Sequence, residues 1–263
     1  MTEPLGPPRG VLRATAAPGA FEHDRRAPVA DLAGFVEHFW RVAWDVPGAP
    51  VVREVLSHPS VHVTIERGRS AVTGVPRGRF TRRLEGNGLV FGIKFVPGGF
   101  RPLVPFPIAQ LTDRAIPIDQ IFGSRGSALE AAVLSQATMA GQIMVATAHL
   151  RELVPERDAT VEQVAGLVKQ VLDDREIRKV DDLAQRSGLG SRALQRLFSD
   201  YVGVSPKWVI RRYRLHEAME RMDAGDPINW AQLALELGYF DQAHFIRDFK
   251  SLVGRTPGDY HRI

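Results

Sequence analysis

The sequence predicts an α+β protein in two parts: a β-rich N-terminal barrel with helices appended, then an all-α region built from two helix-turn-helix units in tandem. Three observations carry that prediction. Residues 11–103 break into short runs of alternating or β-branched character separated by Gly and Pro, the pattern of strands and turns. Helical spacing of apolar residues takes over near Ala109. In the last third one phrase occurs twice: a Leu-Ala pair, a glycine, an amphipathic stretch closing on Phe, then Gly-x-[Ser/Thr]-Pro. The first copy runs through Leu183-Ala184, Gly188, Phe198 and Gly203-Val204-Ser205-Pro206. The second runs through Leu233-Ala234, Gly238, Phe249 and Gly254-Arg255-Thr256-Pro257. A short joint at Pro155–Asp158 divides residues 1–155 from 156–263.

The strand candidates in chain order are Phe39–Trp44, Val51–Leu56, Val61–Ile65, Ala71–Val75 and Leu89–Val96. Period two puts Val61, Val63 and Ile65 on a core face and leaves His62, Thr64 and Glu66 toward solvent. His58, His62 and Glu66 lie four residues apart, a spacing that suits a His/His/carboxylate metal site. The parity of the strand and the position of His58 before Pro59 argue against it, and no metal is expected. Trp40, Val42 and Trp44 share one face of their strand, and Phe91, Ile93 and Phe95 share one face of theirs. Trp40, Trp44, Phe91 and Phe95 are therefore candidate walls of a small-molecule effector pocket, with ordinary aromatic core as the commoner alternative. Arg67, Arg69, Arg77, Arg79, Arg82 and Arg83 gather around a Gly-rich loop and read first as a solvated hairpin, second as a site for an acidic ligand or phosphate.

Helices are expected at Leu129–Ala137 and Ile143–Leu150. Beyond the joint, Val161, Val164, Leu167, Val168, Val171 and Leu172 form the apolar stripe of another. In the first copy of the repeated phrase, Val180, Leu183 and Ala184 mark a short helix that Gly188 ends with a positive φ. Ser191 then caps a helix whose Leu194, Leu197 and Phe198 face inward. Outward remain Arg192, Gln195, Arg196 and Ser199, long polar donors suited to the major groove, where Arg grips guanine O6/N7 and Gln grips adenine N6/N7. Ser205 and Pro206 launch a linker helix of about 18 residues, about 27 Å at 1.5 Å per residue, matched to two readers one DNA turn apart. In the second copy Trp230, Leu233, Ala234 and Leu237 point inward, Gly238 turns the chain, and Asp241 caps a helix buried through Phe245, Phe249 and Leu252. Ala243, His244, Arg247 and Lys250 lie outside, with Gln242 at the edge.

Residues 158–263 resemble the DNA-binding domain of the AraC/XylS family of bacterial transcription regulators. The matching motifs are Gly203-Val204-Ser205-Pro206, Arg214-Leu215-x-x-Ala218, Gly238-Tyr239-Phe240, His244-Phe245-x-Arg247-x-Phe249-Lys250 and Gly254-x-Thr256-Pro257-x-x-Tyr260. The resemblance implies double-stranded DNA as partner, with Arg192, Gln195 and Arg196 at base-reading positions of the first unit and Gln242, His244 and Arg247 at those of the second. Where the family ends Tyr-Arg, this chain has Tyr260-His261-Arg262. The phrase Gly92-Ile93-Lys94-Phe95-x-Pro97-Gly98-Gly99-Phe100, followed by Ala109-Gln110-Leu111-Thr112-Asp113, resembles the cupin-like effector domains that precede such units, and implies a small-molecule effector or a homodimer contact. RNA polymerase follows as a partner if the chain activates transcription.

The net charge is +4, yet residues 151–263 hold 18 basic and 18 acidic side chains. The cationic footprint is local: Arg186, Arg192, Arg196, Lys207, Arg211, Arg212 and Arg214 face only Asp200 between positions 186 and 214. Arg211 and Arg212 have two open readings, phosphate contact or solvated linker face. The first unit is expected to supply most of the base specificity, because the second places Ala243 and His244 where longer donors would stand. The absence of cysteine excludes disulfides, thiol catalysis and zinc-thiolate sites. No apolar run approaches the roughly 18 residues of a membrane span, and Met1–Arg13 has no signal-peptide core, so a cytoplasmic, non-enzymatic protein without cofactor is expected. A metal-dependent enzyme domain fused to the DNA reader and a ligand-independent dimeric regulator are the alternatives.

Overall fold

Two long strands dominate the N-terminal part of the computed structural model, which describes residues 3–5, 10, 12, 21–224 and 228–262. They are β2 (Val36–Val55) and β5 (Phe80–Phe95), paired antiparallel almost throughout. With β1 (Phe21–Arg26), β3 (His62–Ile65), β4 (Ala71–Thr73) and β6 (Ala115–Pro117) they form a six-stranded sheet in the order β1-β2-β5-β3-β4-β6. The separate runs Phe39–Trp44 and Val51–Leu56 are one strand. Pro47 and Pro50 cannot donate to a ladder, so the register shifts between Val46 and Val51, but β5 accompanies both halves. For the same reason Arg82 and Arg83 lie within β5, not in a loop. The expected start of the β-rich region at Val11 and most of the Met1–Arg13 opening lie outside the described residues.

The sheet has two faces with different fates. Val63 pairs with Ile93, Ile65 with Phe91 and Val72 with Ile116, and the paired residues share the face that packs under α1 (Ile118–Phe122), α2 (Ser124–Leu134) and α3 (Met139–Arg151). Phe91 and Phe95 are fully buried there, Phe91 stacked on Phe39 at 5.9 Å and Phe95 edge-on to Phe100 at 5.0 Å. Trp40 pairs with Gly92 and Trp44 with Gly88, which puts both tryptophans on the opposite face. A Cβ at Gly92 would stand 2.0 Å from the Trp40 ring, and one at Gly88 2.2 Å from Trp44. Glycine here is a platform that lets an indole lie flat on the backbone. The four aromatic residues expected to wall one pocket are thus split by the pleat, and Phe91 and Phe95 belong to the core.

The α-helical part comprises α4 (Ala159–Asp173), α5 (Val180–Ser187), α6 (Ser191–Tyr201), α7 (Pro206–Asp223), α8 (Trp230–Glu236), α9 (Gln242–Val253) and α10 (Pro257–His261). Asp158 caps α4 by accepting from the Thr160 and Val161 amides. Of its expected stripe only Leu172 is exposed, in the last turn. The linker α7 has the 18 residues expected, but it is not a rod in solvent. One core, around Val164, Leu183, Phe198 and Val209, packs the first unit on its N-terminal half. A second, around Leu215, Met219, Phe245, Phe249 and Tyr260, packs the second unit on its C-terminal half. The N-terminal part enters both, through Val75 in the first and through Leu12 and Leu56 in the second.

Candidate nucleic-acid interface

Each candidate reading helix, α6 and α9, is presented by the turn before it. Gly188 takes φ 68° and ends α5 in the left-handed region. Gly190, not Ser191, is the N-cap of α6; Ser191 is its first residue, and its hydroxyl lies 3.4 Å from the Asp181 carboxylate. Leu194 and Phe198 are fully buried, so Arg192, Gln195, Arg196 and Ser199 are turned out together and are exposed. These four line an open cleft of about 830 Å³ with Asp200 and Pro107. In the second unit Gly238, at φ 81°, makes the turn, and Asp241 caps α9 by accepting from the His244 amide at 2.6 Å. Gln242, Ala243, His244, Arg247 and Lys250 are all exposed, while Phe245 and Phe249 are buried.

The linker arginines behave differently from the surface expected of them. Arg212 is 1% exposed. Its Nη2 donates to the carbonyls of Arg77 at 2.7 Å and Gly78 at 3.3 Å, and its guanidinium lies 4.4 Å from the centre of the Trp208 ring. Burial lowers its pKa to about 10. A side chain so placed cannot reach a phosphate, and the phosphate-contact expectation for Arg212 is corrected. Arg211 is half-exposed but committed: its guanidinium binds the buried Asp248 of α9, with Nε 3.3 Å from Oδ2. Tyr239 also donates to Asp248, at 2.7 Å, and burial first, the carboxylate second, hold that phenol's pKa well above its ordinary value. Arg186 pairs with Asp174, and Arg214 pairs with Glu217 at 2.6 Å inside the fold. Of the seven cations between 186 and 214, Arg192, Arg196 and Lys207 are therefore the ones among the described residues that face outward without an internal ion pair. The footprint is narrower than the sequence suggested, and it is centred on α6.

Two arginines of the cluster near the Gly-rich loop, Arg77 and Arg79, dock on the α-helical part, while Arg67, Arg69 and Arg83 are exposed. Arg77 is held by Asp113 through its backbone amide and Nε, both at 2.6 Å, and offers its carbonyl to Arg212. Arg79 pairs with Glu54 at 3.0 Å and donates to the Val253 carbonyl at the end of α9. Arg82 binds Glu66 at 2.5 Å. Arg101 pairs with Asp200 of α6 at 2.8 Å, and Thr112 donates to the Gly203 carbonyl at 2.6 Å. The solvated reading fits Arg67, Arg69 and Arg83; for Arg77, Arg79 and Arg82 the partners are distant in sequence, so no local signal could correct it.

The histidines also find partners. His62 accepts from the Trp40 indole at 3.3 Å, and burial with the nearby Lys94 charge lowers its pKa to about 3. The face of β3 expected to meet solvent is partly covered instead, because Trp40 lies across it. His58 stacks on His216 of α7, ring centres 4.4 Å apart. His261, where the family has Arg, lies 3.2 Å from the Met222 carbonyl and packs edge-on to Trp230. Among the described residues no group of three or more His, Asp or Glu is placed to hold a metal ion, and no helix is long and apolar enough to cross a membrane.

Comparison with known proteins bears on this geometry. Residues 183–263 match the model of a helix-turn-helix domain, and residues 24–117 match a domain of unknown function, DUF6597. The chain is 36% identical over 86 residues to Regulatory protein SoxS of Escherichia coli strain K12, covering 32% of this chain and 78% of that protein. The chain belongs to the AraC/XylS family of transcription regulators. It is also 34% identical over 82 residues to Probable transcription factor PqrA of Proteus vulgaris, covering 31% of this chain. To Transcriptional activator NphR of a Rhodococcus species it is 28% identical over 197 residues, 74% of this chain. It spans 66% of the length of PqrA and 56% of NphR. In this AraC/XylS regulator the helix-turn-helix match runs from within α5 through α10, behind the β-rich part.

Proposed function

We propose that the protein is a sequence-specific transcription regulator that reads two adjacent major grooves, with α6 in one and α9 in the next, under the control of a small molecule bound by the β-rich part. The observation that carries the DNA reading is the joint exposure of Arg192, Gln195, Arg196 and Ser199 on a helix whose other face is fully buried, repeated by Gln242, His244 and Arg247 on α9. Selection of bound duplexes from a random pool should return a site with two conserved blocks about 10 bp apart. Arg196→Ala should weaken binding to that site by about 1–3 kcal/mol and relax preference at one base. Equal loss on selected and random duplexes removes the base-reading role.

Support for control by the β-rich part lies in its contacts with both units: Arg101 and Thr112 hold the α6 end, Arg79 the α9 end, and the Arg77–Gly78 carbonyls hold α7. A ligand that reshapes the sheet acts on all three. Because Leu12, Leu56 and Val75 are shared with the α-helical cores, a ligand screen belongs on the full chain and not on residues 1–155. A bound effector at a hundredfold excess over its Kd should raise stability by about 2.7 kcal/mol and change DNA affinity in the same titration. A library that shifts neither leaves the ligand-independent regulator as the better reading.

A further inference from the structure

We infer that the second unit recognises thymine through its 5-methyl group, with Phe240 and Ala243 forming an apolar reading patch at the N-terminal end of α9. The inference rests on α9 being the reading helix of the second unit. Phe240 is 88% exposed, the most exposed of the large hydrophobic side chains among the described residues. An isolated exposed Leu needs no explanation, but this ring stands on a turn with little freedom. On its N-terminal side the Tyr239 amide donates to the Ala234 carbonyl at 2.9 Å, and the buried Tyr239 ring is wedged against His244 and Phe245 at 5.2 and 5.3 Å. On its C-terminal side Asp241 is tied to the His244 amide. A large ring is thus held in water at the entrance to α9, one residue before the cap.

Its neighbours define what it meets. Gln242, Ala243 and Arg247 are exposed beside it, and the other end of α9 is occupied by Arg79 at the Val253 carbonyl. The open end of the helix is therefore the end that enters the groove. In the major groove the only apolar mark on a base pair is the thymine methyl, and Phe and Ala are side chains that contact it. Ala243, short for a hydrogen-bonding reader, suits a methyl at van der Waals distance. The second unit then contributes specificity of a different kind from α6, reading by shape and apolar contact where α6 reads by donors.

The test uses the full chain and the duplex recovered by selection, with each thymine of the second block replaced in turn by deoxyuridine, which removes only the methyl. One such replacement should weaken wild-type binding about fourfold, the worth of one buried methyl. Phe240→Ala should weaken binding to the thymine duplex at least about fivefold and lose its sensitivity to that replacement, while Phe240→Leu keeps part of both. Circular dichroism of the variants checks folding, which an exposed side chain leaves intact. Loss of binding by Phe240→Ala that is the same on thymine and deoxyuridine duplexes overturns the methyl contact. Unchanged DNA binding by Phe240→Ala, with Arg247→Ala weakened, also overturns it and gives the ring to a protein partner. Unchanged binding by both variants fails the premise that α9 is a reader, a result distinct from the other two.

Discussion

Removing the Arg212 side chain tests whether the linker helix is a surface for DNA or a strut inside the fold. The guanidinium makes two charge-assisted hydrogen bonds to the Arg77 and Gly78 carbonyls, worth about 1.5–3 kcal/mol each, and lies on the Trp208 ring for about 1–2 more in a desolvated setting. Against these stands the cost of burial. The drop in pKa to about 10 from the ordinary 12.5 corresponds to roughly 3 kcal/mol at 1.36 per unit, and Nε and Nη1 find no acceptor among the described residues. Arg212→Ala forfeits the gains, keeps a void and strands two carbonyls, so urea unfolding should show a loss of about 2–4 kcal/mol. Arg212→Met fills the space without a charge to desolvate and should cost about 0–2 kcal/mol, as replacements of buried ionic groups do. In either variant the slope of log affinity against log salt should stay at its wild-type value, since no phosphate contact is lost. A slope shallower by about one unit, with stability unchanged, would refute this account and return Arg212 to the DNA surface.

Arg211→Ala leaves Asp248, 5% exposed at its side chain, with Tyr239 as its remaining partner. It should lower stability by about 1–3 kcal/mol and change the salt slope by well under one unit; a full unit of change would make it a phosphate contact. Folding should weaken below pH 6.5. Burial, then the His216 charge, lowers the His58 pKa, and burial lowers that of His62 to about 3, so the unfolded chain binds more protons as the pH falls through 6.5. Stability is then fully present above that value and declines toward the folded pKa values by up to about 1.4 kcal/mol per pH unit for each histidine. His58→Phe keeps a ring against His216 and should flatten that decline between pH 6.5 and 5; an identical pH profile from urea titrations would remove His58 as a source. Gly92→Ala places a methyl 2.0 Å from the Trp40 ring, should cost about 1–3 kcal/mol as overpacking does, and should shift Trp40 emission when compared with Trp40→Phe. Unaltered emission and stability would show that the indole is free to move.

Periodicity made the tandem legible because its signals are local. Gly188 and Gly238 had to be left-handed, Asp241 and Ser205 had to cap, and Leu194, Phe198, Phe245 and Phe249 had to turn inward, all within a few residues of one another. Strand parity was equally local, and it put Val61, Val63 and Ile65 in the core, but the solvent it assigned to His62 and Glu66 is taken by Trp40 and Arg82. What parity cannot supply is register between strands. Whether Trp40 shares a face with Phe91 or with Gly92 is decided by the β2–β5 pairing, so the pocket assembled from four aromatics dissolved once that pairing was known. Charge misled for a related reason. Arg212 and Arg192 look alike along the chain, and only carbonyls 134 and 135 residues away distinguish a buried strut from an exposed side chain.

The burial of α7 changes what a linker helix does here. A rod in solvent sets the distance between two readers and leaves each free to move about it. In this chain the two helix-turn-helix units and the connections between strands that carry Leu56, Val75 and Arg77 all pack on the same helix, and twelve of its residues are buried. Asp248 of α9 is tied to Arg211, Glu236 of α8 to Arg221, the Val171 and Asp174 carbonyls at the end of α4 to Arg214, and Arg212 to the turn before β5. Neither unit can rotate about α7 without breaking one of these ties or exposing apolar surface from its core. The spacing of α6 and α9 is then a property of the whole fold, and the β-rich part contributes to it through the loop that carries Arg77 and Gly78. A molecule that favours one position of that loop needs a differential affinity of only about 1.4 kcal/mol to change the balance of two such arrangements tenfold. Arg77, clamped by Asp113 on one side and lending its carbonyl to Arg212 on the other, is where such a difference would pass from strand to helix.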